Sequence, residues 1–108
     1  KEMIKYKGYQ IAPAELEALL MEHPAVRDSA VIPKRDDESG EIPKAFILLH
    51  PDAKASPEEL MRFVEERVAP YKKVREIEFV EAIPKTPSGK ILRRELIEAE
   101  RAKTAGKS

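Results

Sequence analysis

The chain contains no cysteine. That excludes disulfides and thiolate metal sites, and it fits a reducing compartment, so a cytoplasmic location is expected. It has no net charge, because 20 Lys and Arg balance 20 Asp and Glu. No global field therefore draws it to nucleic acid or to an anionic membrane, and any anion it meets must be met by local arrangement. No basic stripe is interleaved with aromatics, as a nucleic-acid surface would require. No apolar run approaches the roughly 20 residues that span a bilayer, and no signal-peptide pattern is present. His23 and His50 each stand beside a proline, with no second histidine close in sequence. Both read as structural, and no metal site is expected. Internal repeats and low-complexity tracts are missing too.

What is there fits one small domain of 108 residues. Hydrophobic residues make up 42% and charged residues 37%, which permits a modest core. The first residue is Lys1, not methionine, and Lys1 to Lys7 read as the middle of an element. The chain is therefore expected to be a piece of a longer polypeptide.

Met3 to Ile11 reads as a short hairpin, with Gly8 supplying a backbone conformation that other residues resist. Pro13 opens a helix at a position where the missing N–H costs nothing, and Leu16, Leu19 and Leu20 form its apolar stripe up to Pro24. Val26–Ile32 and Ala45–Leu49 read as strands paired antiparallel, the second buried on both faces. A polar loop is expected between them, from Pro33 to Glu41. Ser56, Pro57 and Glu59 form a helix start with a capping box. Leu60, Phe63, Val64 and Val68 then share one face, and Pro70 ends the helix. Ile77 and Phe79 alternate with Glu76, Glu78 and Glu81, giving a third strand with one wet face. Arg93–Lys103 reads as a charged helix in which Arg94 and Glu98 pair at i,i+4, worth about 0.2–0.5 kcal/mol. A frayed tail is expected from Thr104 to Ser108. The expected fold class is α+β: a small mixed three-stranded sheet flanked by helices, with an N-terminal β-hairpin.

The most informative stretch is Pro84-Lys85-Thr86-Pro87-Ser88-Gly89-Lys90-Ile91-Leu92-Arg93-Arg94. Two prolines and a glycine make a stiff turn that ends in one lysine. As a phosphate-binding P-loop it fails, because Pro84 stands where a glycine is needed and Ile91 where Ser or Thr is needed. Two readings of Lys90 stay open: a cation positioned for developing negative charge, or a solvated loop lysine. The Lys5-Tyr6-Lys7-Gly8-Tyr9-Gln10 stretch is similarly open. Lys5 and Lys7 would share a strand face, Gly8 would let a ligand approach the backbone, and Gln10 offers a donor and an acceptor. The plain alternative is a polar-faced hairpin. Tyr71-Lys72-Lys73 is a third basic spot, where lysines commonly complement a helix dipole.

Taken together, Lys1 to Glu17, His23 to Val26, Gly40 to Ala45 and Pro84 to Arg94 resemble the C-terminal domain of adenylate-forming acyl-CoA synthetases. That superfamily includes fatty-acid and 4-coumarate CoA ligases, luciferases and peptide-synthetase adenylation domains. The resemblance spans nearly the whole chain to about Leu96.

It implies a two-step reaction. A carboxylate attacks the α-phosphate of ATP, held with Mg by an N-terminal adenylation domain that lies outside this chain; CoA thiol then displaces AMP. The present domain, residues 1–103, would be a lid that rotates between the steps. By the same resemblance Lys90 matches the adenylation lysine, Lys5 and Gln10 match positions that meet the adenylate, Lys7 and Gly8 match a stretch bordering CoA, and Lys1 matches the hinge. Fatty acid is the expected acid, and the 108 residues alone are expected to be inactive. The competing reading is a free-standing module that binds a small ligand or a protein without catalysis.

Overall fold

Residues 2–105 are described by the computed structural model. The elements run β1 (Ile4–Tyr6), β2 (Tyr9–Ile11), α1 (Pro13–Leu20), β3 (Val26–Asp36), β4 (Gly40–Leu49), α2 (Pro57–Glu65), a single 3-10 turn (Pro70–Lys72), β5 (Glu76–Phe79) and α3 (Arg93–Ala105). The class is α+β and the sheet is mixed, as expected. It has five strands, however, where three were expected.

The difference lies in β4. Its ten residues serve three neighbours. β3 runs antiparallel along one edge, from Val26 opposite Leu49 to Asp36 opposite Gly40. The other edge is shared. β1 meets it antiparallel at Gly40, opposite Tyr6, and β5 lies parallel to it farther along, from Lys44–Glu76 to Ile47–Phe79. The N-terminal hairpin is thus part of the sheet.

The polar loop expected over Pro33–Glu41 is mostly strand. Prolines argue against strand continuation because they withhold a donor. Here Pro33 and Pro43 oppose each other, and the Pro43 carbonyl turns away from β3 to accept the Arg75 N–H at 3.0 Å. They therefore form a non-hydrogen-bonded pair, and neither proline removes a donor from the β3–β4 ladder. The turn closes at Asp36, whose carboxylate accepts the Ser39 N–H at 2.9 Å.

One face of the sheet is the apolar core. Val31, Ala45 and Ile47 pack with Leu16 and Leu20 of α1 and with Leu60 and Val64 of α2. Burying each large side chain contributes about 1.5–3 kcal/mol. The buried residues of α1 are Pro13, Leu16, Glu17 and Leu20, so a glutamate occupies the middle of the stripe. Ser56 caps α2, accepting the Glu59 N–H at 3.0 Å. The Glu59 side chain does not close the expected box; it meets His23 Nε2 at 3.0 Å. The helix ends at Glu65, well before Pro70.

The opposite face carries charge. Lys44 is 2% exposed, and its ammonium contacts Glu100 at 2.7 Å, Glu78 at 2.8 Å and Glu76 at 3.2 Å. Lys34 joins through Glu76 at 2.9 Å, and Lys103 through Glu78 at 2.7 Å. The expected wet face of β5 is therefore the floor under α3. The helix extends through Thr104 and Ala105, where fraying was expected. Arg94 pairs with Glu2 at 3.3 Å rather than with Glu98.

Candidate functional site

The Lys90 loop is built from its own polar groups. Thr86 N–H donates to the Lys90 carbonyl at 2.8 Å, and Gly89 N–H to the Thr86 carbonyl at 2.9 Å. Lys90 N–H donates to the Thr86 hydroxyl at 3.0 Å. Gly89 turns the chain at φ +95°, a left-handed conformation that favours glycine. The stem closes through the Lys85–Ile91 bridge and the Leu92 N–H donating to the Pro84 carbonyl at 2.9 Å. Lys90 itself is exposed, and no ion pair joins it to a described carboxylate. The loop thus spends its hydrogen bonds on the backbone around Lys90 and leaves the ammonium at the surface.

The second cluster is the β1–β2 hairpin. Lys5 and Gln10 are cross-strand partners and both are exposed. Tyr6 and Tyr9 flank a two-residue turn in which Lys7 has φ +49° and Gly8 φ +87°, the signature of a type I′ hairpin. Lys7 therefore lies in the turn and not on the strand face it was expected to share with Lys5. The hairpin is held from outside: Tyr9 stacks on Tyr71 with ring centroids 4.3 Å apart, and the Arg75 guanidinium sits 4.2 Å from the centre of the Tyr6 ring. Lys72 and Lys73 turn to Glu15 at 3.1 Å and Glu65 at 3.8 Å, so the third basic spot is paired. The hydrogen bond to Glu15 holds the Lys72 ammonium above its ordinary pKa.

Lys5, Lys7, Gly8 and Gln10 come together on one hairpin. Lys90 stands on a separate loop, with no hydrogen bond to that hairpin among the described residues. Lys1 lies outside the described residues. Two open depressions, of about 350 Å³ and about 200 Å³, line α2, and neither includes Lys90, Lys5, Lys7, Gly8 or Gln10. No three His, Asp or Glu side chains stand together to hold a metal among the described residues.

Glu17 and Arg93 were not singled out by sequence. Glu17 is buried, accepts the Val31 N–H at 2.9 Å, and takes Arg93 Nε at 2.9 Å and Nη2 on its two oxygens. The legible signal was an acidic residue at the i+4 position of the stripe Pro13, Leu16, Glu17, Leu20.

The profile of the AMP-binding enzyme C-terminal domain family matches residues 15–90. The 4-coumarate–CoA ligase-like protein 5 of Oryza sativa subsp. japonica is 58% identical over 98 residues, covering 91% of this chain and 18% of that protein. Among solved structures, an acyl-CoA synthetase of Brucella canis superposes with a TM-score of 0.90 at 40% identity, covering 96% of this chain and 20% of the other. A fatty acyl CoA synthetase of Mycobacterium tuberculosis gives 0.86 at 35%, covering 94% and 20%. The chain thus spans about a fifth of the length of the proteins it matches.

Proposed function

This chain belongs to the AMP-binding enzyme C-terminal domain family, and from that membership we propose that it is the mobile C-terminal domain of an ATP-dependent acyl-CoA ligase. The observation that carries the reading is the Lys90 loop: a hydrogen-bonded turn that leaves its ammonium exposed and, among the described residues, without an ion-pair partner. Such a cation works on an anion held by a second body, here the N-terminal adenylation domain of the same polypeptide.

In the first step a carboxylate oxygen attacks the α-phosphorus of ATP. The bond to the β-phosphate breaks, and pyrophosphate leaves. The Lys90 ammonium bridges carboxylate and α-phosphate oxygens as charge builds. Losing one preorganised donor typically costs on the order of 3–4 kcal/mol, or roughly 10²–10³ in rate. Lys5 and Gln10 meet the adenylate. In the second step the CoA sulfur attacks the acyl carbonyl and AMP leaves, with the Lys7–Gly8 turn bordering CoA. Two faces on one small domain then serve two steps, turning about Lys1.

Fatty acid is the acid we assign. The Mycobacterium tuberculosis neighbour is described as a fatty acyl CoA synthetase, while the rice relative is described as 4-coumarate–CoA ligase-like, which makes 4-coumarate the rival acid. A cytoplasmic location is part of the same proposal.

The test uses the full-length polypeptide. Lys90→Ala should cut pyrophosphate release with hexadecanoate and ATP by about 10²–10³ and largely spare thioester formation from pre-made acyl-adenylate. Equal loss in both steps overturns the role of Lys90. Faster turnover with 4-coumarate than with hexadecanoate overturns the acid.

A further inference from the structure

Two residues at the foot of the Lys90 loop are in places that helix physics alone does not favour. Arg93 is the first residue of α3, where the helix dipole disfavours a cation. Glu17 is a carboxylate buried in an apolar helix face, where desolvation opposes its charge. Each is the other's charge partner. The guanidinium meets the carboxylate with two parallel N–H donors, Nε at 2.9 Å and Nη2, a fork that fixes orientation as well as distance. The neighbouring Arg94 is 76% exposed and pairs with Glu2, so a charge at this helix start need not be buried.

Glu17 is itself fixed. One carboxylate oxygen accepts both Arg93 Nε and the Val31 N–H of β3, and its backbone carbonyl accepts the Ser29 hydroxyl at 3.0 Å. The other arm of the loop is tied to the same strand, because Lys85 pairs with Asp28 at 2.6 Å. One foot of the loop thus stands on β3 directly, through Asp28, and the other reaches it through Glu17 of α1. Between Arg93 and Lys90 lie only Ile91 and Leu92, whose backbone is held by the Lys85–Ile91 bridge and the Leu92–Pro84 hydrogen bond. A displacement at Arg93 therefore reaches Lys90 with little slack. The body of α3 has its own anchor in Lys44 and Glu100, so docking that helix does not require the Arg93 fork.

We propose that Glu17 and Arg93 are positioning residues for Lys90: their ion pair sets where the lysine's ammonium stands relative to the sheet, and so governs adenylation but not thioester formation. The inference rests on the reading of Lys90 given above.

Its test is again made in the full-length polypeptide, with Arg93→Met and Glu17→Gln as separate variants. Each should lower the kcat of pyrophosphate release by about 10- to 100-fold, the effect of a displacement near 1 Å, with the KM for ATP and the thioester step from pre-made adenylate within about twofold. Arg93→Lys, which keeps the charge but not the fork, should recover part of the loss. The decisive variant is Arg93→Met combined with Lys90→Ala. If Arg93 acts through Lys90, the pair should be no slower than Lys90→Ala alone. Leu60→Ala, a core truncation under α2, controls for destabilisation and should leave the ratio of the two steps unchanged.

A full further loss in the double variant overturns the inference, as does pyrophosphate release by both single variants within about twofold of the parent. Should Lys90→Ala itself release pyrophosphate normally, the reading of Lys90 falls first and the inference with it. Normal release by Arg93→Met and Glu17→Gln beside a crippled Lys90→Ala removes the inference alone.

Discussion

Lys7 holds φ +49° in a two-residue turn, a conformation that costs most L-residues roughly 1–2 kcal/mol and suits Asn or Gly. The chain thus carries a lysine where the turn suits asparagine, which fits the CoA-bordering role proposed for Lys7. Lys7→Asn should raise stability by about 0.5–1 kcal/mol, read from the urea midpoint, and weaken thioester formation in the full-length polypeptide. A gain in both would detach Lys7 from CoA. Legibility at this scale depended on locality. The turn before Lys90 followed from Pro84, Pro87 and Gly89, whereas the strand alternation that paired Lys5 with Lys7 failed at the Lys7–Gly8 turn. Glu17 went unnoticed beside the Leu16, Leu19 and Leu20 stripe, and its partner Arg93 lies 76 residues away, a distance no local pattern reports.

At the scale of elements, α3 is held to the sheet by charge. Lys34, Lys44 and Lys103 interlock with Glu76, Glu78 and Glu100. Hydrogen bonds from Lys103 and Lys44 hold Glu78 below the ordinary carboxylate range. Burial pushes Glu100 upward, but Lys44 and Lys34 outweigh it and the net direction is down. Burial pulls Lys44 downward and its three carboxylates overcome that, leaving the ammonium well above its ordinary value. The hydrogen bond that Lys34 donates to Glu76 leads the rise of the lysine, against a smaller pull from burial.

The signs fix the window. Carboxylates lowered on folding contribute stability above about pH 4.3 and lose it as pH falls through their folded values; lysines raised on folding contribute below about pH 10.4 and lose it as pH climbs past their folded values. Hydrogen-exchange protection of α3 should therefore collapse in acid before that of β3 and β4, and hold at neutral pH. Lys44→Met should cost about 2 kcal/mol, less than for a fully buried pair because Glu76 and Glu78 are partly exposed, while Lys103→Met should cost under about 1 kcal/mol. Equal costs in urea unfolding would mean that burial of Lys44 does not matter. The apolar run after Lys44 was readable as a central strand. That the residue before it carries a buried charge was not, because the compensating carboxylates lie on β5 and α3.

For the whole molecule, a radius of gyration of 13.4 Å is close to the roughly 13 Å of a closed 100-residue domain. Under the proposed ligase role, the 108 residues should release no pyrophosphate from hexadecanoate and ATP by themselves, and joining them to an N-terminal adenylation domain should restore release. Turnover by the 108 residues alone would return the free-standing reading. The α+β class and the antiparallel pairing of β3 with β4 were legible in periodicity. The five-strand sheet was not, because it depends on β1 and β5 dividing one edge of β4. The prolines that hid the length of β3 have a further effect. The sheet order leaves β3 as a terminal strand, and in its non-hydrogen-bonded pair with Pro43 the ring of Pro33 faces away from β4. An incoming strand finds no N–H there, and Arg35 and Asp36 place charge beside the gap. The edge thus resists pairing with a second strand, and the residue that does so is the one that made the strand hard to see.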